Sequence, residues 1–323
     1  MVFDYLLFLE MIRNSTGGLF DSFFLFLTNL GELTLIFLIL GLIYWCVDKK
    51  TGEFLFVTIL GAFAFSRLIN GFLKITVCEV RPWITNKLLH PLEDALPAAT
   101  GYSFPSGHAN NATITFGGYA LKSKIGKGFT ALLIILIGLI CFSRNYAGVH
   151  TFWDVAVSVI LAVVCLFGMN KIFEVYGDKP NFDLIVAGVG ILISVLLLIY
   201  TVTKGYPMNY DAAGQLIVDP AKMIVDSYEN VGYTVGIFLG WVLERRFINF
   251  NSGGSVHRRL FRLLAGCLGF EFIAIFRPFL KSLLGAQYGG LLFSFIITFF
   301  LIFIMPALIK IVQNRNPEEY PTE

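Results

Sequence analysis

The sequence predicts an all-α membrane protein, a polytopic bundle of about nine transmembrane helices, and two observations carry that prediction. Of 323 residues, 56% are apolar and only 14% are charged, with 24 Lys plus Arg against 22 Asp plus Glu. A soluble domain has roughly 45–50% apolar and about 25% charged residues, so this chain lacks the charge to coat a water-facing surface. The apolar residues also gather in runs, and a helix crossing about 30 Å of hydrocarbon needs about 20 of them. A mean hydropathy of +0.75 and 33 Phe exclude a disordered chain, a coiled coil and a nucleic-acid binder with a broad basic face.

Asp4, Glu10 and Arg13 punctuate Met1 to Asn14, which lacks the basic, apolar, small-residue order of a cleaved signal. This segment therefore reads as an amphipathic, interfacial helix. Candidate crossings follow at 25–47, 54–73, 108–121, 129–142, 152–173, 184–201, 233–243, 260–276 and 288–311. The third, fourth and seventh are short as apolar runs and borrow polar flanks. The expected organisation is an interfacial segment at 1–24, a five-helix core at 25–177 and a four-helix extension at 178–323, all in one membrane body.

Lys and Arg accumulate on the cytoplasmic side of membranes. Nine crossings from an outside N-terminus put Lys49, Lys50, Lys122, Lys124, Lys127, Lys171, Lys179, Arg245, Arg246, Arg258, Arg259, Arg262, Lys310 and Arg315 inside. Lys74, Arg81 and Arg144 fall outside, against that bias, so they invite a chemical explanation. Cys46, Cys78, Cys141, Cys165 and Cys267 are scattered without C-x-x-C or Cys/His spacing, which argues for inert thiols over disulfides or zinc ligands.

Three polar clusters follow at the expected outer ends of the first five helices. In Lys74-Ile-Thr-Val-Cys-Glu-Val-Arg81-Pro82, seven residues separate the cations, so two helical turns put them on one face until Pro82 stops the helix. Snorkelling anchors would look the same. In Phe104-Pro-Ser106-Gly107-His108, a helix start presents backbone N–H groups to an anion, although Ser106 alone could be an ordinary N-cap. His108 adds a group that titrates near neutrality. In Ser143-Arg144-Asn-Tyr-Ala-Gly-Val-His150-Thr-Phe-Trp-Asp154, the acid four residues on can hold one ring nitrogen of His150 and leave the other as an outward lone pair. A helix-terminal acid favoured by the dipole is the bland alternative for that pair.

Together the clusters suit a phosphate: Lys74, Arg81 and Arg144 neutralise its oxygens, and two histidines divide the roles of nucleophile and acid. No carboxylate cluster is available on that side for Mg²⁺ or Zn²⁺, so the expected reaction needs neither metal nor other cofactor.

These residues resemble the type 2 phosphatidic acid phosphatase family, whose signature reads K-x6-R-P, P-S-G-H and S-R-x5-H-x3-D. Every signature position is matched, over a region of about 31–173, and the motifs occur in order. The resemblance implies a haloperoxidase-like phosphatase core in which His150 attacks phosphorus to form a phosphohistidine, oriented by Asp154. His108 would protonate the leaving oxygen and then activate water, while Lys74, Arg81, Ser106, Gly107 and Arg144 would hold the phosphoryl oxygens. The implied substrate is a phospholipid or isoprenoid phosphate, monoester or diphosphate, taken from the bilayer, with no nucleic-acid partner and the oligomeric state left open. The loop charges put the site on the extracytoplasmic face; a bacterial plasma membrane or a eukaryotic endoplasmic reticulum would fit, and the short loops favour the bacterial case. A lipid phosphotransferase with a non-water acceptor is the alternative, and a phosphate-binding lipid transporter is a third. Arg277-Pro278 repeats the R-P pair, but Phe270 stands where its Lys would be. Glu271 and Arg277 are expected to pair with each other or serve function, Asn110 and Asn111 to bridge helices, and His90 and His257 to be solvated.

Overall fold

The computed structural model describes residues 4–31, 41, 44–46, 49–122, 126–211 and 214–315. They are helical throughout, apart from loops and one isolated bridge between Tyr210 and Leu216. The elements that concern the site are α1 (Tyr5–Ser15), α2 (Asp21–Asn29), α3 (Lys49–Val77), α4 (Pro82–Thr85), α5 (Gly107–Lys122), α6 (Lys127–Tyr146) and α7 (Phe152–Tyr176). Beyond them lie α8 (Phe182–Thr203), α9 (Pro220–Leu243), α10 (Val256–Ile275), α11 (Arg277–Phe299) and α12 (Met305–Arg315).

The all-α class agrees with the sequence, but the number of crossings does not. Among the described residues five helices are long and apolar enough to cross a membrane: Thr58–Thr85, Lys127–Tyr146, Phe152–Tyr176, Phe182–Thr203 and Arg277–Arg315. The expectation of about nine was therefore too high. The first expected crossing, 25–47, lies largely outside the described residues. The third is α5, whose 16 residues reach only about 24 Å at 1.5 Å per residue. The seventh shares α9 with Lys222, Asp226 and Glu229, and the eighth shares α10 with Arg258, Arg259, Arg262 and Glu271. Counting apolar runs overlooked the ionisable residues on the same helices, and the inside–outside assignment built on nine crossings lapses with the count.

The chain divides into two compact units. The first comprises 1–33, 66–167 and 201–223, and contains all three polar clusters. Its apolar interior is built where α2, α5 and α6 meet, through Leu27, Ala112, Phe116, Leu133 and Ile140. Polar bonds tie α5 to its other neighbours: Ser66 Oγ on α3 donates to Asn110 Oδ1 at 2.5 Å, and Asn111 Nδ2 to the carbonyl of Gly31, just after α2, at 3.4 Å. Helix α1 starts at Asp4, whose carboxylate accepts from the N–H groups of Leu6 and Leu7. It then grips the loop after α4, because Glu10 accepts from His90 N at 3.0 Å and meets His90 Nδ1 at 2.9 Å, while Arg13 donates to the His90 carbonyl at 2.5 Å. His90 is exposed as expected, yet it is held by this acid instead of being simply solvated.

The second unit comprises 34–65, 168–200 and 224–323. One of its buried carboxylates, Glu229 on α9, accepts from Arg277 Nη2 at 2.9 and 3.0 Å and pairs with Lys281 Nζ at 2.7 Å. This corrects the expected Glu271–Arg277 pair, because Arg277 opens α11 and turns toward α9 while Glu271 is exposed on α10. Helix α11 breaks at Gly285, where φ is +79°. Only glycine adopts that conformation without strain.

Candidate active site

The three clusters converge in the first unit because four helix ends point their termini at one another. Lys74 lies in the last turn of α3, Ser106 to His108 open α5, Arg144 lies in the last turn of α6, and His150 precedes α7. The short loop between α6 and α7 brings Arg144 and His150 together. Val149 N bonds back to the Arg144 carbonyl at 3.2 Å, and Asn145 Nδ2 donates to the His150 carbonyl at 2.9 Å. Gly148 permits the reversal with φ of +71°.

Arg81 is buried and its guanidinium spreads over four acceptors. Nε donates to the Gly101 carbonyl at 3.1 Å, Nη2 to the Thr100 carbonyl at 3.0 Å, and Nη1 to the Val149 carbonyl and to His150 Nε2, both at 2.9 Å. A guanidinium can only donate, so Nε2 of His150 must present its lone pair and Nδ1 must carry the proton. That proton faces Asp154 Oδ2 at 3.3 Å and Ser103 Oγ at 3.4 Å. Asp154 in turn accepts from Ser103 Oγ at 2.5 Å and from Thr151 N at 2.7 Å, while Thr151 Oγ1 accepts from Asp154 N at 3.2 Å. The reciprocal Thr151–Asp154 bonds form a capping box for α7, so the residue that orients the histidine is fixed by the start of its own helix.

The second motif is tied to the third through the main chain, with Ser106 N donating to the Asp154 carbonyl at 3.0 Å. Ser106 is fully buried, and its hydroxyl lies 3.5 Å from Ala109 N, so it caps α5 weakly. The N–H groups of Gly107 and His108 precede the first intrahelical bond and remain for an anion. A Cβ at Gly107 would meet no atom, which leaves that approach open. Lys74 Nζ donates to the carbonyls of Tyr102 at 2.8 Å and Ser103 at 3.3 Å. His108, half-buried in the first turn of α5, lies in the field of Arg144, His150, Arg81 and Lys74. Burial, and then those positive charges, hold the pKa values of both His108 and His150 well below the ordinary histidine value.

Every residue singled out in the three motifs is thus drawn to one place. Several partners were not anticipated. Thr28 on α2 holds Arg144: Ser143 Oγ donates to the Ile140 carbonyl, so the Thr28 hydroxyl donates to Ser143 Oγ at 2.7 Å and accepts from Arg144 Nη1 at 3.3 Å. Lys204 donates to the Ile75 carbonyl and lies 3.5 Å from Cys78 Sγ, capping the end of α3. The pattern Thr151-x-x-Asp154 could have revealed the capping box, whereas Thr28 and Lys204 carry no local signal. Thr28→Val, which keeps the shape and deletes the hydroxyl, is expected to lower catalytic efficiency roughly fivefold, since one such bond contributes about 1 kcal/mol. Steady-state kinetics of the variant would show it, and an unchanged KM and kcat would mean that Arg144 stands without Thr28.

An all-α membrane protein with a cluster of cations, two of them buried, around two histidines, one presenting an unprotonated nitrogen, is the class these observations define. Comparison with known proteins agrees. The model of the PAP2 superfamily matches residues 55–177, and that of the PAP2 superfamily phosphatase, transmembrane extension, matches residues 228–314. The chain belongs to the PAP2 superfamily, the type 2 phosphatidic acid phosphatases. It is 25% identical over 212 residues to lipid phosphate phosphatase delta of Arabidopsis thaliana, an alignment covering 61% of this chain and 49% of that protein. The chain thus spans about half the length of this curated relative. No solved structure matches it.

Proposed function

We infer that the protein is a membrane phosphatase that hydrolyses a lipid phosphomonoester or diphosphate through a phosphohistidine on His150, without a metal ion. The observation that carries this reading is the 2.9 Å contact of Arg81 Nη1 with His150 Nε2, which leaves a nitrogen lone pair among the cations Lys74, Arg81 and Arg144. A phosphoryl group placed there would draw Arg81 onto its oxygens and expose Nε2 for in-line attack. As the N–P bond forms, the P–O bond to the lipid breaks and the leaving oxygen takes a proton from His108. His108 then removes a proton from water, whose oxygen attacks phosphorus; the N–P bond breaks and phosphate departs. Positive charge on the ring during the intermediate is met by Asp154 at Nδ1.

The three cations supply the charge stabilisation that a metal gives elsewhere. Among the described residues, no three His, Cys, Asp or Glu side chains gather as a metal site would require. The ends of α3 and α6 remote from the pocket carry Lys49, Lys50 and Lys127, the lysines typical of cytoplasmic termini, which supports an extracytoplasmic site. The lipid character of the substrate is supported by the membrane spans and by the name of the plant relative. The test is phosphate release by purified protein in EDTA from a panel of lipid phosphates, lipid diphosphates and a soluble sugar phosphate. Release from the lipids but not the sugar phosphate supports the reading, and dependence on added divalent metal would overturn it.

The depressed histidine pKa values set the pH dependence. A nucleophile with a lowered pKa stays unprotonated as pH falls through the ordinary histidine value of about 6.5 and is lost only below it. The acid limb of kcat/KM is therefore expected below about 6.5, after allowance for the second ionisation of the phosphomonoester near 6. Bound phosphate cancels the positive field and raises the His108 pKa, so that this residue can be protonated when it acts as acid. The alkaline limb of kcat, which reports His108 in the complex, should accordingly lie at higher pH than that of kcat/KM, and an acid limb of kcat/KM at or above 6.5 would contradict the scheme.

A further inference from the structure

The signature motifs account for His150 and Asp154 but leave out the hydroxyl that stands between them. Ser103 lies just ahead of the second motif, is fully buried, and places Oγ 2.5 Å from Asp154 Oδ2 and 3.4 Å from His150 Nδ1. The direct His150–Asp154 distance is 3.3 Å, the longest of the three contacts that Asp154 Oδ2 accepts. A serine hydroxyl has one proton to give and lone pairs to receive. The short contact assigns its proton to Asp154, and its oxygen is left to share the Nδ1 proton of His150.

We propose that Ser103 is a positioning residue of this site, one that holds Asp154 and weakens its grip on His150, so that the imidazole stays neutral and nucleophilic. The inference rests on the reading of His150 as nucleophile and deepens it. Two opposing effects are built into the contact. As donor to Asp154, Ser103 withdraws negative charge from the histidine, which disfavours protonation of the ring; as acceptor from Nδ1, it favours protonation. The 2.5 Å bond to a carboxylate is charge-assisted and strong, whereas the 3.4 Å contact is at the limit of hydrogen bonding, so the first effect wins. The other charged groups bearing on His150 are Lys74 from α3, Arg81, Arg144 from α6, Asp154 from α7 and His108 from α5, with Glu79 acting on Asp154. Of these, only Asp154 is bonded to the Ser103 hydroxyl, so it is the group whose hold on His150 changes when the hydroxyl is removed.

A second consequence follows from direction. Ser103 Oγ addresses Nδ1, the side of the ring away from the nitrogen that would take the phosphoryl group, so it is not expected to bind phosphate. In Ser103→Ala the carboxylate should close on His150 and raise its pKa, moving the acid limb of kcat/KM upward by about half a unit to one unit. The lipid substrate ionises identically with both enzymes, so a displacement of the limb between them belongs to the enzyme.

The experiment compares wild type, Ser103→Ala, Ser103→Thr and His150→Ala in detergent, by pH profile and by inhibition with inorganic phosphate. The expected result is an upward shift for Ser103→Ala, a wild-type limb for Ser103→Thr, and a phosphate inhibition constant within about twofold of wild type in both, the pocket being unaltered on that side. A slower Ser103→Ala enzyme with an unmoved limb would mean that Ser103 is merely structural and would overturn the proposal. Phosphate inhibition weakened in step with the loss of rate would make Ser103 a phosphate ligand and would overturn it as well. If Ser103→Ala does not fold, Ser103→Cys gives the same comparison, because its thiol is a weaker donor and should shift the limb in the same direction by less. Retained turnover in His150→Ala would instead refute the phosphohistidine reading itself, whatever the serine variants do.

Discussion

His150→Ala is expected to lower kcat by on the order of 10⁴-fold or more while leaving the protein folded. Removing the nucleophile of a covalent mechanism costs far more than deleting a single binding contact, because every later step depends on the intermediate. The ring is buried and its neighbours are tied elsewhere: Arg81 to three carbonyls, Asp154 to Ser103 and Thr151, and the His150 carbonyl to Asn145. Alanine would therefore leave the surrounding loop in place and remove only the chemistry. Thermal unfolding in detergent within a few degrees of wild type, together with loss of phosphate release, would establish this. A residual rate within tenfold of wild type would require a nucleophile other than His150.

Arg81→Lys is expected to reduce kcat/KM by roughly 10²–10³-fold, although charge is conserved. The guanidinium satisfies carbonyls of Thr100, Gly101 and Val149 and fixes the His150 lone pair, with Trp83 lying 5.9 Å from its carbon. A lysine ammonium offers three donors from one nitrogen and cannot reach all four acceptors in their fixed fork. The loop carbonyls at 100 and 101 would lose partners, and Nε2 would lose the donor that fixes its tautomer. Both kcat and KM should worsen, since Arg81 both binds the phosphoryl group and orients the nucleophile. A loss confined to KM would assign Arg81 to binding alone, and a loss below about fivefold would show that charge suffices there.

The motifs could be read before the structure because phosphoryl chemistry demands particular residue types at short, helix-compatible intervals. Lys74 and Arg81, His150 and Asp154, and the run Ser106-Gly107-His108 each lie close together in the chain, but the expected shared helix face is not how they meet. Helix α3 ends at Val77, Cys78 turns with φ of +54°, and Pro82 opens a new helix where it was expected to stop one, so Arg81 and His150 reach the site from non-helical backbone. The crossings were less legible. A 16-residue α5 and the charged flanks of α9 and α10 yield apolar runs that resemble spans in a hydropathy count, although the helices themselves are too short or too polar to be assigned as such. The Glu229–Arg277 pair was missed for a related reason: the partner lies 48 residues away on another helix, whereas Glu271 was close in sequence.

By itself, the sequence determined that this is a helical membrane protein, and which residues could make a phosphate pocket; composition decides the first, and residue type and spacing the second. The tertiary structure alone decided which atoms meet. The tautomer of His150 follows from an arginine 69 residues earlier, the hold on Arg144 from a threonine 116 residues earlier, and the hydroxyl beside Asp154 from a serine 51 residues away. Hydrogen bonds act only over about 3 Å. Contacts between distant parts of the chain therefore exist only once helix packing has brought the two backbones into register, and no spacing rule along the sequence anticipates them.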